Sequence, residues 1–232
     1  CHPPQSGSVT LCPLDGAFLK LRRAQYHLDA LHHAIQRWKD SQPYEPVVVS
    51  NRQTLYKVKE RIPVPMEFSL IIGDICNNLR AALDYILWQL WLCVEPSFDG
   101  NVTFPIYDLP TDFKVKAGRH ISRLPKKQRT LIEGVQPYNT GYEMLAVLRD
   151  LNNRDKHRMI RVVAVKARGD ELDIQTPPGH PGDGYIHYRL AEWVEVKDGA
   201  ILASVEVPPF RIGADVKVGA QFSLRLVFSE SL

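Results

Sequence analysis

The residues best suited to chemistry lie on one stripe of a predicted helix. This stripe consists of Asp74, Asn77, Arg80 and Asp84. Their spacing of three, three and four residues places them in a row on one helical face. An arginine with a carboxylate four residues later is held extended by that acid, which leaves guanidinium N–H groups to bind a phosphate or a carboxylate. The same spacing is typical of a structural ion pair within a helix, and both interpretations stay open.

A second candidate lies at the end of a later predicted helix, in the segment 152–158. Asp155 is placed to orient the ring of His157. The flanking cations, Lys156 and Arg158, make this histidine a suitable acid or base for an anionic substrate. The alternative explanation for these cations is that they interact favourably with the negative end of the helix dipole.

A basic segment separates the two candidates. The range 113–132 contains seven lysines and arginines and no acid. Such a segment would bind a polyanion through phosphates without reading its sequence. The helix that carries Arg80 also has three aromatic residues, Tyr85, Trp88 and Trp91. They could stack on bases, although we expect them to form an interface. Over 169–206 the balance reverses to eight acids against two cations, so we expect an anion to avoid that part.

Several functional classes lack their sequence signatures. No GxxxxGK[ST] loop, GxGxxG turn, GxSxG elbow or HExxH pair is present, which disfavours P-loop nucleotide hydrolysis, dinucleotide redox chemistry and standard serine or zinc hydrolysis. The four cysteines form no CxxC pair, and we predict neither a metal nor a cofactor. Free thiols suit a reducing, cytoplasmic compartment. No uninterrupted apolar run reaches about 18 residues, so no membrane partner is expected.

Two long amphipathic helices are predicted to position the first candidate. Apolar residues recur at spacings of three and four over 18–41 and along 67–94, so these segments should pack against each other. A β-hairpin over 47–61 is predicted between them, and 143–153 reads as a further helix. From Met159 the apolar period changes to two, which indicates antiparallel strands connected as a meander.

These elements predict an α+β protein with an N-terminal antiparallel helical bundle, an inserted β-hairpin and a C-terminal antiparallel β-sheet. We divide the chain into a flexible N-terminal arm (1–17), a helical region (18–158) and a sheet region packed on the helices (159–232). The 232 residues, of which 44% are hydrophobic, suffice for a substantial core.

Four motifs resemble those of a widespread uncharacterised bacterial family. Residues 73–85 read GDICNNLRAALDY, where that family reads roughly GDxxxNLRxALDH. The family also has an LNxxDKHR motif, as in 151–158, and FPI and QPY motifs like those at 104–106 and 136–138. The likeness extends over about 21–165, and it brings no established activity with it.

More remotely, the predicted helix over 67–94 is similar to the HEPN superfamily, in which an arginine is followed by four residues and a histidine. That superfamily includes metal-independent endoribonucleases of toxin and defence systems, usually dimeric, which use this pair at the scissile phosphate. Arg80 matches the arginine, whereas Tyr85 stands at the position of the histidine. The resemblance therefore implies either a ribonuclease in which His157 supplies the general base, or a binding or structural module like the HEPN relatives that lack the histidine.

Two hypotheses follow from these observations. In the first, an RNA-binding or RNA-cleaving protein uses Arg80 and His157 at the phosphate, and Asp84 and Asp155 orient them. The further phosphate- or ligand-binding candidates are Asn77, Asn78, Lys156, Arg158, Lys126 and Lys127. In the second, the same residues form a structural network in a non-catalytic module that binds a ligand or a partner. The first hypothesis requires the two motifs to converge on one pocket, with RNA or another anion as ligand and a homodimer as the expected assembly.

Overall fold

A computed structural model of the chain describes residues 13–50, 54–166, 172–175, 187–190, 194–206, 217–220 and 224–228. The helices are α1 (Asp15–Asp40), α2 (Met66–Leu92), α3 (Pro110–Lys116), α4 (Gly118–Ile121), α5 (Lys126–Gly134) and α6 (Met144–His157). The strands are β1 (Tyr44–Ser50), β2 (Thr54–Glu60), β3 (Val162–Lys166), β4 (Leu172–Gln175), β5 (His187–Leu190), β6 (Ile201–Glu206), β7 (Lys217–Ala220) and β8 (Leu224–Phe228). Helices in the N-terminal half and antiparallel strands confirm the predicted α+β class.

The long helices begin and end close to their predicted limits, with two differences. Residues 1–12 of the predicted arm (1–17) lie outside the described residues, and residues 15–17 already belong to α1. α6 continues past residue 153, its predicted end, to His157, because basic side chains in its last turn interact favourably with the negative end of the helix dipole. Within the described ranges, no helix combines the length and the apolar character needed to cross a membrane.

The chain folds as two compact units. The first lies within 1–32 and 70–160, and the second lies within 33–69 and 161–232. The β-hairpin belongs to the second unit rather than to the helical region in which the sequence analysis placed it. β2 pairs with β6, which gives a four-stranded sheet in the order β1-β2-β6-β5. A two-stranded hairpin is marginally stable alone and gains stability from a third strand.

The strands of the second unit do not form the predicted meander. β3 pairs with β8, β4 with β7 and β5 with β6, all antiparallel, so the pairs are nested along the chain. Period-two alternation identifies a strand and its buried face. It does not specify the neighbouring strand, because several partners can cover the same apolar face equally well.

α1 and α2 pack on each other through a narrow seam. α1 buries Ala17, Ala24, Leu31, Ala34 and Trp38. In the first unit the ring of Tyr85 lies so close to α1 that a Cβ at Gly16 would be 2.9 Å from it. In the second unit Trp38 meets Phe68 edge-to-face with 6.0 Å between ring centroids. Leu21 has the spacing of a seam residue but is 42% exposed, and the small Ala17 and Ala24 are the buried residues at this level.

The main core of the first unit joins α2 to the basic segment. Its buried residues are Leu87, Trp91, Phe104, Ile106, Phe113, Ala117, Ile121, Leu124 and Ile132. Trp91 is 4% exposed and stacks on Phe98 with 4.5 Å between ring centroids, so it belongs to this core and not to the expected interface. Burial of the apolar side of 113–132 leaves the seven cations of that segment on its exposed side.

α2 and α6 make a close contact at Gly73. A Cβ at this position would lie 2.5 Å from both carboxylate oxygens of Asp155. Cys76, one turn further along α2, is also close to this carboxylate. Burial, with a smaller effect of the Asp155 charge, raises the pKa of the Cys76 thiol to about 11. The missing side chain at Gly73 therefore makes room for the acid of the 151–158 motif.

We expect Gly73→Ala to lower the free energy of unfolding by about 1–3 kcal/mol, because the new methyl group overpacks the Asp155 contact. Alanine normally stabilises the interior of a helix relative to glycine, so the sign is opposite to the propensity effect. Urea denaturation followed by circular dichroism measures the change.

Gly134→Ala is the matched control, since a Cβ there would meet nothing within 4 Å. We expect it to be neutral or slightly stabilising. Replacing Asp155 by alanine should reduce the effect of Gly73→Ala, which a double-mutant cycle would show. A Gly73→Ala variant as stable as the original protein would rule out the close contact.

Candidate functional site

The peptide of Phe104 is held on both sides by side chains of α2. Arg80 donates a hydrogen bond from Nη2 to the Phe104 carbonyl oxygen, and Asp84 Oδ1 accepts one from the Phe104 N–H at 2.7 Å. The same Asp84 oxygen lies 3.4 Å from Arg80 Nη2, which completes an i,i+4 ion pair. One turn of α2 thus supplies a donor and an acceptor to one residue of a distant loop.

Gln136 fixes the next residues of the same loop. Its side chain is fully buried, and Nε2 donates to the carbonyl oxygens of Pro105 and Ile132 at 2.9 Å each. Its Oε1 accepts a hydrogen bond from Tyr107 N–H at 3.0 Å. Both amide hydrogens and the carbonyl oxygen are therefore used. The FPI and QPY motifs, about thirty residues apart in sequence, form one hydrogen-bonded unit.

A cavity of about 280 Å³ lies beside this loop, and we call it the Arg80 cavity. Its walls are formed by Arg80, Thr103, Phe104, Pro105, Ile106, Tyr107, Arg119, His120, Arg149, Asn153 and Lys156. Arg80 comes from the first sequence candidate and Lys156 from the second, so residues of both motifs line one cavity. Arg119 and His120 come from the basic segment.

Carboxylates partly neutralise the charge of the Arg80 cavity. Arg149 donates to Asp150 at 2.8 Å and lies 2.9 Å from Asp108. Its hydrogen bond to Asp150, and to a smaller extent its contact with Asp108, raise the pKa of Arg149. This arginine is therefore committed to structure. Arg119 and Lys156, both exposed, have no ion pair with any described carboxylate, so their charge is available to a ligand.

One guanidinium nitrogen of Arg80 lacks an acceptor. The Arg80 side chain is only 11% exposed, and its Nη1 is buried without a hydrogen-bond partner among the described residues. Burial lowers the pKa of Arg80, and the charge of Asp84 opposes this effect. Arginine nevertheless stays charged at neutral pH. A buried donor without an acceptor costs about 1–3 kcal/mol, a cost that an acceptor within hydrogen-bond distance of Nη1 would offset.

His120 is held in the cavity wall by its backbone and by its ring. Trp91 Nε1 donates to the His120 carbonyl oxygen at 2.7 Å. Arg119 Nε lies 3.0 Å from His120 Nε2, and Thr103 N lies 3.4 Å from Nδ1. A neutral imidazole has one acceptor nitrogen, so the shorter contact with Arg119 defines Nε2 as that acceptor. Burial, followed by the charges of Arg119 and Arg80, lowers the pKa of His120. The ring is therefore neutral at pH 7.

The remaining residues of the 151–158 motif point to different surroundings. Asp155 lies against Gly73, and no hydrogen bond joins it to His157 in the described part of the chain. His157 is exposed at the end of α6 and does not line the Arg80 cavity. Arg158 is exposed and ends the helix with extended backbone angles. The expected Asp155–His157 pair is thus not formed, because the carboxylate packs on α2 instead.

The other ligand-binding candidates lie away from the Arg80 cavity. Asn78 is buried and donates from Nδ2 to the Asp74 carbonyl oxygen at 2.8 Å, a bond within its own helix. Asn77 is exposed and does not line the cavity. Lys126 lines a different cavity, of about 390 Å³, and the neighbouring Lys127 is exposed and lines neither. Roles for these residues at Arg80 would require a ligand that extends beyond this cavity.

His120 and Arg149 line the cavity but were not predicted from the sequence as site residues. The signal for His120 was present, because it directly follows Arg119 inside a segment without acids. Arg149 had no such signal, since its place in the cavity depends on how α6 packs. Among the described residues, no group of three or more His, Cys, Asp and Glu side chains is arranged to hold a metal ion.

We expect Asp84→Ala to lower the free energy of unfolding by about 1–3 kcal/mol, because it leaves the buried Phe104 N–H without an acceptor and Arg80 without its counter-ion. Thermal denaturation followed by circular dichroism measures the change. Asp74→Ala is the matched control on the same helix, and as an exposed residue it should change stability by less than about 0.5 kcal/mol. Equal stability of the two variants would contradict the structural role of the Phe104 hydrogen bond.

His120 should make stability depend on pH. In the unfolded chain it titrates near its ordinary pKa of about 6.5, and its pKa is lower in the folded protein. Below about pH 6.5 the unfolded chain therefore binds more protons, so this contribution to stability is present at higher pH and is lost as the pH falls towards the folded pKa. His120→Gln should remove this pH dependence. The difference in free energy of unfolding between the two proteins should therefore stay constant above about pH 7.5 and change at lower pH. Denaturation at several pH values measures it, and parallel curves at all pH values would contradict it.

Comparison with known proteins adds no relative to this description. No protein-family model, no curated protein and no solved structure matches the chain. The geometry of the first unit therefore carries the functional argument.

Proposed function

We propose that this protein binds RNA at the Arg80 cavity and cleaves it there without a metal ion. The observation that carries the proposal is the placement of Arg80, which lines a cavity with Arg119 and Lys156 and whose buried Nη1 has no acceptor among the described residues. A phosphate oxygen is the acceptor that this arrangement suits best, because guanidinium and ammonium groups bind phosphates through short charge-assisted hydrogen bonds.

The chemistry uses three side chains of the cavity. His120, neutral at pH 7, takes the proton from a ribose 2′-hydroxyl, and the 2′-oxygen attacks the adjacent phosphorus. Arg80 stabilises the negative charge that develops on the phosphorane. Lys156 gives a proton to the departing 5′-oxygen, so the products are a 2′,3′-cyclic phosphate and a 5′-hydroxyl. Arg119 releases His120 Nε2 when it turns to a phosphate oxygen.

Two features support RNA as the ligand. The seven cations of 113–132 are exposed, and they extend the positive charge beyond the cavity, although Asp112 and Glu95 partly neutralise two of them. The remote similarity of the Arg80 helix to the HEPN superfamily, in which Arg80 matches the arginine and Tyr85 replaces the histidine, supports a role of Arg80 at a scissile phosphate. His157 lies outside the cavity lining, so we assign the proton transfer to His120.

The proposal predicts that Arg119→Ala combined with Lys156→Ala weakens binding of a fluorescent 12-nucleotide RNA at least about tenfold and reduces its salt dependence by roughly one phosphate contact. Both residues are exposed and neither holds the loop, so the variant should fold. Lys127→Ala is the matched control, because it removes an exposed cation that does not line the cavity. Fluorescence anisotropy at several salt concentrations measures the affinities, and equal weakening by the control would contradict a specific site.

The cleavage step is tested by incubating the protein with RNA in EDTA. We expect a 2′,3′-cyclic phosphate product, and we expect His120→Ala to lower the rate by about 10²- to 10⁴-fold while RNA affinity changes little. His157→Ala should retain the rate within about twofold, because its ring does not line the cavity. Intact RNA in the presence of the original protein would reject the catalytic part of the proposal, and retention of activity by His120→Ala would reject this assignment.

A non-catalytic module is the second candidate, and the hydrogen bonds on Phe104 favour it. Arg80 and Asp84 both bind the Phe104 peptide, so these motif residues have a structural role whether or not an anion binds. In that case Arg80→Lys should lower the melting temperature by several degrees and leave RNA affinity unchanged. A fall in RNA affinity without a comparable fall in melting temperature would support the anion site instead.

A further inference from the structure

A second cavity in the first unit is lined by Asp84, the ion-pair partner of Arg80. It has a volume of about 500 Å³ and is lined by Gly16, Asp84, Tyr85, Trp88, Gln89, Asn101 and Val102. We call it the Tyr85 cavity. Its size is within the range of small-molecule sites. Aromatic and apolar side chains form part of its wall, and two amides and a carboxylate form the rest.

The two cavities are lined by neighbouring residues. Asp84 lines the Tyr85 cavity, and its ion-pair partner Arg80, 3.4 Å away, lines the other. The chain passes from one cavity to the next within consecutive residues, since Asn101 and Val102 line the first and Thr103 lines the second. A ligand with an anionic group in the Arg80 cavity would therefore place the adjoining part of the molecule in the Tyr85 cavity.

Tyr85 offers an exposed aromatic ring in the wall of the Tyr85 cavity. The residue is 45% exposed although it belongs to α2. Gly16 keeps the ring in place, because a Cβ there would lie 2.9 Å from it, and Lys20 Nζ lies 5.9 Å from the ring centroid. Trp88 is fixed similarly by Phe98, with 5.3 Å between ring centroids. Aromatic side chains held in this way are suited to stack on a planar ring.

The polar residues of the Tyr85 cavity favour a heterocycle over a plain aromatic ring. Asp84 uses Oδ1 for both Phe104 and Arg80, so among the described residues its Oδ2 has no hydrogen bond. Gln89 and Asn101 also line the cavity, and an amide can both donate and accept. A nucleobase presents this mixture of donors and acceptors along its edge. The ring of a phosphotyrosine carries its phosphate directly and has no hydrogen-bond donors or acceptors along the rest of its edge.

We infer that the Tyr85 cavity is a nucleobase subsite, which takes the base of the nucleotide whose phosphate lies in the Arg80 cavity. This inference rests on the proposed phosphate site and adds that the ligand is a nucleotide unit. It assigns Tyr85 and Trp88 to stacking, and Asp84, Gln89 and Asn101 to the edge of the base. Stacking accepts any base, so the subsite would tolerate different sequences.

Isothermal titration calorimetry with adenosine 5′-monophosphate and ribose 5-phosphate tests the inference, because the two ligands share the phosphate and the sugar and differ in the base. We expect the nucleotide to bind about tenfold more tightly. Tyr85→Leu should remove most of this difference by weakening nucleotide binding alone. Tyr142→Leu is the matched control, since Tyr142 is similarly exposed (42%) and does not line either cavity.

The outcomes separate the two proposals. If ribose 5-phosphate binds, and Arg119→Ala with Lys156→Ala weakens it, but the nucleotide binds no more tightly, the phosphate site stands and the nucleobase subsite is rejected. If neither ligand binds the original protein, the proposed function fails as well. Tighter binding of O-phospho-tyrosine than of the nucleotide, lost in Tyr85→Leu, would overturn the nucleobase in favour of a phosphorylated peptide. A penta-adenylate that binds at least as tightly as the mononucleotide supports an RNA strand as the source of the base.

Discussion

The polar architecture of the first unit depends on the two hydrogen bonds that α2 makes to the peptide of Phe104. Arg80 binds its carbonyl oxygen and Asp84 binds its N–H, while the buried Gln136 binds the next residue of the loop. Buried peptide groups must be paired, and a loop cannot pair its own as a helix or sheet does. These contacts therefore determine where residues 103–107 run, and the loop in turn forms one wall of the Arg80 cavity.

The same contacts leave part of the Arg80 guanidinium group without a hydrogen-bond acceptor among the described residues. A guanidinium group has five N–H donors, and the loop and Asp84 engage only one side of Arg80. Nη1 is left buried and unpartnered among the described residues, with Arg119 and Lys156 on the neighbouring walls. A structural role and a binding role are therefore compatible in one side chain, because its different nitrogens serve them. Asp84 similarly binds the loop through Oδ1 and lines the Tyr85 cavity.

Burial of the basic segment explains why its cations surround this site. Its apolar residues, including Phe113, Ile121 and Ile132, pack in the core with Trp91, so the lysines and arginines between them have no alternative to the exposed side. The Trp91 indole also binds the carbonyl oxygen of His120. The core thus places the histidine beside the arginine without any local sequence relation between His120 and Arg80.

Much of the fold could be predicted from the sequence, because local periodicity reflects which face of an element is buried. The limits of α1 and α2, the hairpin and the α+β class followed in this way, and so did the Arg80–Asp84 pair, which depends only on the helical repeat. The strand partners did not follow, because alternation does not distinguish β8 from any other apolar strand as the neighbour of β3. The length of α6 was underestimated. Cations near the end of a helix are as compatible with residues just beyond its last turn as with the last turn itself, so they do not fix where the helix ends.

The candidate site shows the same division. The sequence by itself determined that Arg80 and Asp84 form one polar stripe, that 113–132 is positively charged, and that the segment 152–158 lies at the end of a helix. Only the tertiary structure decided that Lys156 shares a cavity with Arg80, that Asp155 packs on Gly73 rather than on His157, and that His120 is the histidine of the cavity. The physical reason is that the helical repeat fixes neighbours within one turn, whereas neighbours from distant segments are selected by the packing of the core, which no local pattern encodes.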